Sequence, residues 1–209
     1  MLTIEAFCGI IFLANKKERK SPMSVLMTKR LILRAWRDED AKSLYRLAKE
    51  PLVSAVAGWR PHKNPRESLA VIRDIYSQPE IYALVLRSTG ELVGSVGLMT
   101  YYNSNIGLSK TDCEIGYWIG VPYWENGYCT EAASELIRHA FEDISMQRVF
   151  CSYIEGNLSS KKVQEKLGFT PHHVNKDVYF DFLGASRNEY VSCLSRQDWF
   201  LKNTKKDRI

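Results

Sequence analysis

Trp124, Glu125, Asn126, Gly127, Tyr128, Cys129 and Thr130 set one glycine and one small cysteine between an aromatic-rich stretch and a run whose apolar residues recur at helical spacing. The chemistry open to such a turn is anion binding. The first backbone N–H groups of a helix lack intrahelical partners and sit at the positive end of its dipole, so a turn delivered there can cradle a negative group, phosphate above all. Gly127 permits positive φ and close approach of backbone to ligand, and Cys129 is small enough to leave that approach open. Gly127 equally suits an ordinary tight turn, and the glycine alone does not separate the two readings.

A strand must enter this turn and a helix must leave it. Residues 113–119 (CEIGYWI) read as the strand, and Ala133, Leu136, Ile137, Ala140, Phe141 and Ile144 follow the i, i+3, i+4, i+7 pattern of a helix over 130–144. Around this unit, LILRAW (31–36) alternates like a half-buried strand. DEDAKSLYRLAKEP then gives a helix stopping at Pro51, and NPRESLAVIRDIY gives a second, with Asn64 as cap, Pro65 at its first position and Glu67 placed for a capping box. IYALVLRSTGELVGSVGLMT is a hairpin signal turning at Thr89-Gly90. RVFCSYI (148–154) is a strand, NLSSKKVQEKLGF a short helix ending at Gly168, and DVYFDFL and NEYVSCL two strands that pair. This mixed order points to an α+β sheet with helices on its faces.

The chain has 209 residues, 45% hydrophobic and 25% charged, enough for one main domain with a substantial core. Its +5 charge lies at the ends. Residues 1–20 carry four Lys/Arg against two Glu and residues 202–209 four against one Asp, which accounts for all of it. A neutral body without zinc-ligand spacing or a recognition motif argues against nucleic acid. Five scattered cysteines without a C-x-x-C pair fit free thiols in a reducing, cytoplasmic setting. The run AFCGIIFLA (6–14) has its charges reversed for a signal peptide and is too short to span a bilayer. It reads as an extension outside the domain, with Met23 or Met27 as the expected true start. The expected layout is an extension over 1–27, a domain over 28–200 and a basic tail over 201–209. Neither G-x-x-x-x-G-K-[ST] nor G-x-G-x-x-G occurs, His172-His173 reads as surface rather than metal-ligating, and no metal site is expected.

Two stretches together, EIGYWIGVPYWENGYCTEA and NLSSKKVQEKLGF, resemble the GNAT superfamily of acetyl-CoA-dependent N-acetyltransferases. In that family a Q/R-x-x-G-x-G/A turn between a strand and a helix binds the pyrophosphate of coenzyme A. Here the pattern falls on residues 124–129, with Trp for Gln/Arg and Cys for Gly/Ala. Because backbone N–H groups do the binding, these changes matter little. Trp124, TKRLILRAWRDED and GYCTEA are similar to the Rim-type branch that acetylates ribosomal-protein N-termini. The resemblance covers roughly residues 28–200 and implies a mixed, mostly antiparallel sheet of about six or seven strands flanked by about four helices. It also implies that Glu125 to Thr130 hold the pyrophosphate and that the pantetheine arm runs beside the backbone of Tyr117, Trp118 and Ile119 like an added strand. Asn157 would bond that arm and Lys162 meet a phosphate. Asn157 can also cap the short helix, a role one side chain can combine with binding.

The implied reaction transfers an acetyl group from acetyl-CoA to a primary amine, of a protein N-terminus or a small molecule, by direct attack. Many members of the family place an acidic tyrosine seven residues after the asparagine; here that position is Gln164, which cannot donate a proton in this way. Ser160, standing where the Rim branch has a serine at the sulfur, takes the role, although from the residues alone it is a first-turn helix residue. Glu114 is the implied general base through water, the alternative being an exposed strand carboxylate. The loops VAGWRPHK and YYNSNIGLSKTD are expected to shape the acceptor pocket. A monomer or homodimer without nucleic-acid or membrane partners is expected, and a non-catalytic acyl-CoA-binding module is the alternative.

Overall fold

The protein is represented by a computed structural model that describes residues 23–101, 104, 106 and 108–204, together with the backbone of Ala6–Phe7 and Ile10–Ile11, which pair antiparallel. The rest of the run 6–14 lies outside the described residues, as do four positions of YYNSNIGLSKTD.

The middle layer is one sheet in the spatial order β1 (Leu26–Met27), β2 (Leu31–Ala35), β3 (Ile81–Leu86), β4 (Leu92–Thr100), β5 (Asp112–Ile119), β6 (Arg148–Ile154), β8 (Ala185–Ser195) and β7 (Thr170–Phe180). Every neighbouring pair is antiparallel except β5 and β6. The sheet thus has eight strands among the described residues, where six or seven were expected. The addition at the near edge is β1, which pairs Leu26 with Leu33 and buries Leu26 in the core ahead of Thr28.

Among the described residues six α-helices cover the sheet, where about four were expected: α1 (Ala41–Ala48), α2 (Pro51–Ala57), α3 (Pro65–Val71), α4 (Tyr128–Glu142), α5 (Leu158–Leu167) and α6 (Arg196–Thr204). Pro51 ends α1 but also opens α2, because a proline at the first helical position loses no hydrogen bond. Gly58, at φ 89°, ends α2 in the left-handed conformation. The helix α6 runs through residues 201–204, the start of the basic tail.

Alternation along β5 divides the core. Cys113, Ile115, Tyr117 and Ile119 face the apolar stripe of α4, formed by Ala133, Leu136, Ile137, Ala140 and Phe141. On the opposite face Trp118 and Met99 pack with Leu44, Leu47, Val53 and Trp59 of the α1–α2 region. Truncating a fully buried residue such as Leu136 to alanine removes contacts worth about 2–5 kcal/mol.

The parallel pairing of β5 with β6 covers only Asp112–Arg148, Cys113–Val149 and Glu114–Phe150. At its closed end the Arg148 guanidinium grips both oxygens of buried Asp112, Nε to Oδ1 at 3.1 Å and Nη2 to Oδ2 at 2.8 Å. Burial raises the Asp112 pKa, but the Arg148 fork and the Ser109 hydroxyl outweigh it and hold the carboxyl below its usual value. Beyond Glu114 the two strands diverge.

Candidate active site

The strand β5 ends in a short 3-10 turn, Val121–Tyr123, and the chain passes through Trp124, Glu125 and Asn126 to Gly127, the N-cap of α4. Glu125 and Gly127 both take the left-handed conformation, at φ 61° and 76°. No side chain caps α4, whereas Asn64 and Asn157 cap α3 and α5 with their own oxygens. The N-terminus of α4 therefore keeps its dipole and its turn for something else. The Asn126 amide donates to the carbonyls of Tyr123 (3.2 Å) and Trp124 (2.9 Å), which fixes the loop from within.

Arg30, from the β1–β2 turn, completes the surroundings. Its Nε donates to Glu131 Oε2 at 2.6 Å, its guanidinium lies 4.5 Å from the Tyr128 ring centre, and its Nη2 would stand 3.6 Å from a Cβ placed on Gly127. Thr28 Oγ1 and the Arg30 backbone N–H both donate to Glu131 Oε1, at 2.6 and 2.8 Å. Glu131 thus neutralises part of the arginine while strapping β1–β2 to the first turn of α4. A positive-φ glycine, an uncapped helix start and an adjacent guanidinium suit a diphosphate.

Where β5 diverges from β6, its odd-numbered residues direct their backbone groups away from β4, because Gly120 N–H bonds back to Val93 O on the β4 side. The Ile119 carbonyl accepts from the Trp124 indole Nε1 at 2.6 Å. The tryptophan that departs from the family pattern thus braces the turn against the end of the strand.

Ser160 is buried in the first turn of α5, and its Oγ lies 3.1 Å from the Tyr117 phenol oxygen and accepts from Gln164 Nε2 at 3.2 Å. The phenol in turn accepts from the Cys151 thiol at 3.7 Å. Tyr117, singled out in the sequence only for its backbone, therefore brings a hydroxyl to the helix that carries Gln164 at the tyrosine position. The signal was present in the odd-numbered register of β5, which sends Tyr117 to the α4–α5 face. Gln164 Oε1 is buried without a hydrogen-bond partner among the described residues, a vacant acceptor beside the opening. Asn157 caps α5 through Oδ1 to Ser160 N (3.1 Å) and donates to Val56 O of α2 (3.2 Å). Lys162 is exposed on the outer side of α5.

Glu114 lies on the other face of β5 and is fully buried, so the exposed-carboxylate alternative is corrected. It is enclosed where β5 still pairs with both neighbours, facing Met99 and Phe150 in register. Ser104 Oγ donates to Oε2 at 2.8 Å and Ser152 Oγ to Oε1 at 3.2 Å. Burial, opposed by the Ser104 bond and reinforced by the Glu189 carboxylate, drives its pKa up to about 8. Glu189 is itself buried and accepts from Asn175 Nδ2 at 2.9 Å. On this face Trp59, from the VAGWRPHK loop, meets Trp118 edge-on with ring centres 5.3 Å apart. Among the described residues no cluster of three His, Cys, Asp or Glu is arranged to hold a metal ion. None of their helices is long and apolar enough to cross a membrane.

Residues 30–170 match the acetyltransferase (GNAT) domain family, and the chain belongs to that family. It is 26% identical over 182 residues to the uncharacterized N-acetyltransferase p20 of Bacillus licheniformis, covering 85% of this chain and 99% of p20. Among solved structures, the GNAT-family acetyltransferase of Bacillus anthracis superposes with a TM-score of 0.73 at 17% identity, covering 83% of this chain and 99% of that one. The ribosomal-protein-S5-alanine acetyltransferase of Vibrio fischeri does so at 0.66 and 19%, covering 84% and 98%.

Proposed function

We propose that this protein transfers the acetyl group of acetyl-CoA to a primary amine by direct attack, with an α-amino group as the preferred acceptor. The observation that carries the reading is the placement, on opposite faces of β5 and three positions apart, of a proton acceptor, Glu114, and a hydroxyl pair, Tyr117 with Ser160. Bound acetyl-CoA supplies an electrophilic thioester carbonyl. The turn from Glu125 to Thr130, with Arg30 beside it, holds the pyrophosphate. The pantetheine arm lies in the opening beyond Glu114, along Tyr117, Trp118 and Ile119, where Gln164 Oε1 offers an acceptor.

As the amine nitrogen bonds to the carbonyl carbon, the Glu114 carboxylate takes its proton through water, and the C–S bond breaks on the other face. Tyr117 or Ser160 gives the departing sulfur its proton, leaving an N-acetyl amine and free coenzyme A.

The acceptor preference follows from proton affinity. An α-ammonium titrates near 8, level with Glu114, so the transfer is close to thermoneutral; a lysine ammonium near 10.4 makes it uphill by roughly 3 kcal/mol. The Vibrio fischeri structure, named as a ribosomal-protein-S5-alanine acetyltransferase, agrees with a protein acceptor. The test is release of coenzyme A from acetyl-CoA with N-terminal peptides, lysine analogues and small amines. The expected result is a kcat/KM at pH 7.5 at least tenfold higher for α-amines. Preference for the lysine analogue would overturn the acceptor assignment, and no turnover with any amine would leave a binding module.

A further inference from the structure

The buried histidine of α4 has no part in the acetyl-transfer reading. His139 is 5% exposed, one turn from the C-terminus of α4, and both of its ring nitrogens meet carboxylates: Nδ1 lies 2.7 Å from Asp143 Oδ2 and Nε2 lies 3.0 Å from Glu80 Oε2. Asp143 caps the same helix, whereas Glu80 stands just ahead of β3, 59 positions away. The Arg138 guanidinium and the His139 bond hold the Asp143 carboxyl down at about 2. At Glu80 burial, which raises the pKa, is outweighed by the bonds from His139 and Tyr82. Both groups are therefore carboxylates, which only accept. A neutral imidazole has a single N–H, so a ring held between two carboxylates donates from both nitrogens and carries a positive charge, as the end of a helix favours. The bond to Glu80, reinforced by Asp143, raises the imidazole above its usual 6.5 despite burial. Around the cluster, the Tyr82 hydroxyl of β3 donates to Glu80 Oε2 at 2.8 Å, and Arg138 grips Asp143 through Nη1 at 3.1 Å and Nη2 at 2.9 Å while also bonding Glu135 and Glu142. Burial pushes the Cys113 thiol of β5 up, so it stays neutral. Glu80 itself sits at φ 62°, a strained conformation for a residue other than glycine, and its carbonyl accepts from Leu98 N at 2.9 Å.

We propose that His139 is a proton-operated clasp: charged, it ties the end of α4 to the strained turn ahead of β3 through both ring nitrogens, and on losing its proton it keeps Asp143 and releases Glu80. Asp143 is the one kept because it lies on the same helix and is fastened there by Arg138. A nitrogen lone pair then faces the Glu80 carboxylate, and the turn loses its hold. The other end of α4 stays strapped by Glu131 to Thr28 and Arg30, so release begins at the end remote from the cradle. Because the fold binds this proton more tightly than the unfolded chain does, the clasp is fully present below about pH 6.5 and is lost as the pH rises through the folded-state value.

The experiment follows the full chain by NMR of the imidazole nitrogens and by amide hydrogen exchange. At pH 6 both His139 nitrogens should carry protons, and the ring should titrate with a midpoint above 6.5. Protection of the amides of residues 80–82 and of the last turn of α4, corrected for intrinsic exchange, should fall about tenfold or more between pH 6 and pH 9. In His139→Gln and in Glu80→Gln protection there should be low at both pH values and change by less than about threefold. Glu80→Gln should also lower the His139 midpoint, which a role in packing alone would not do. If His139→Gln does not fold, Glu80→Gln decides alone. A single N–H on His139 at pH 6, or protection in the parent that does not change with pH, would overturn the clasp. Equal pH-dependent loss in the parent and Glu80→Gln would also overturn it, tracing the effect to another group such as Glu114.

Discussion

The hydroxyls of Tyr117 and Ser160 meet at 3.1 Å although they stand 43 positions apart in the sequence. One comes from the middle of a strand and the other from the first turn of a helix, and Gln164 closes the group from one helical turn further on. If the pair acts as one proton donor to sulfur, removing either member should cost about as much as removing both. Tyr117→Phe keeps the ring in the core and deletes only the hydroxyl. It and Ser160→Ala should each lower kcat about tenfold or more with little change in KM for acetyl-CoA, and the double variant should be no worse than the poorer single one. Additive losses in steady-state kinetics would show two independent roles.

The anion cradle is tested at Gly127, whose φ of 76° is accessible to asparagine but strained for a β-branched residue. Gly127→Val should cost about 1–3 kcal/mol of stability and more than tenfold in affinity for acetyl-CoA. Gly127→Asn should keep the melting temperature near that of the parent yet still weaken binding, because its side chain occupies the space the ligand needs. Calorimetry on both variants checks this; undiminished affinity in Gly127→Asn would move the pyrophosphate elsewhere.

The proposed role of Glu114 as base would link activity to stability. Its pKa is raised from 4.5 in the unfolded chain to about 8 in the fold, so between these values the folded protein carries the extra proton and stability falls as pH rises. Glutamine cannot ionise, so Glu114→Gln should melt higher than the parent at pH 8, by about 5 °C or more, with the gain shrinking to nothing near pH 4.5. The same change should remove the rise of kcat/KM with pH that the parent owes to this group. Parallel melting curves across pH 5–8 would show that Glu114 is not protonated by burial.

The parts of the molecule legible in the sequence are those set by neighbours along the chain. The turn from Trp124 to Thr130 lies between a contiguous strand and a contiguous helix, so the strand–turn–helix unit shows in seven letters. The cap of α3 was equally local, since Asn64 Oδ1 accepts from both Arg66 N and Glu67 N at 3.0 Å. Pro51 misled because one proline can end a helix and begin the next. The first half of β7, Thr170 to Val174, is exposed on both faces as an outer strand and shows no alternation for a period-2 reading to find. Arg30 and Tyr117 depended on contacts between segments far apart in sequence, Arg30 with Glu131 and Tyr117 with Ser160. Glu114 was singled out on its strand, but its burial was not legible, because Ser104, Ser152 and Glu189 reach it from three other segments.

The short union of β5 with β6 also bears on how the protein avoids sticking to itself. A strand flank left at the rim of a sheet invites a second chain to add on, and natural sheets blunt such rims with charge, bulges or brevity. Here the flanks of β5 and β6 beyond Glu114 and Phe150 lie inside the molecule, roofed by α4 and α5, in a wedge that Arg148 and Asp112 close at its apex. A rim folded inward needs no such blunting, which leaves residues 115–119 free to remain apolar and aromatic.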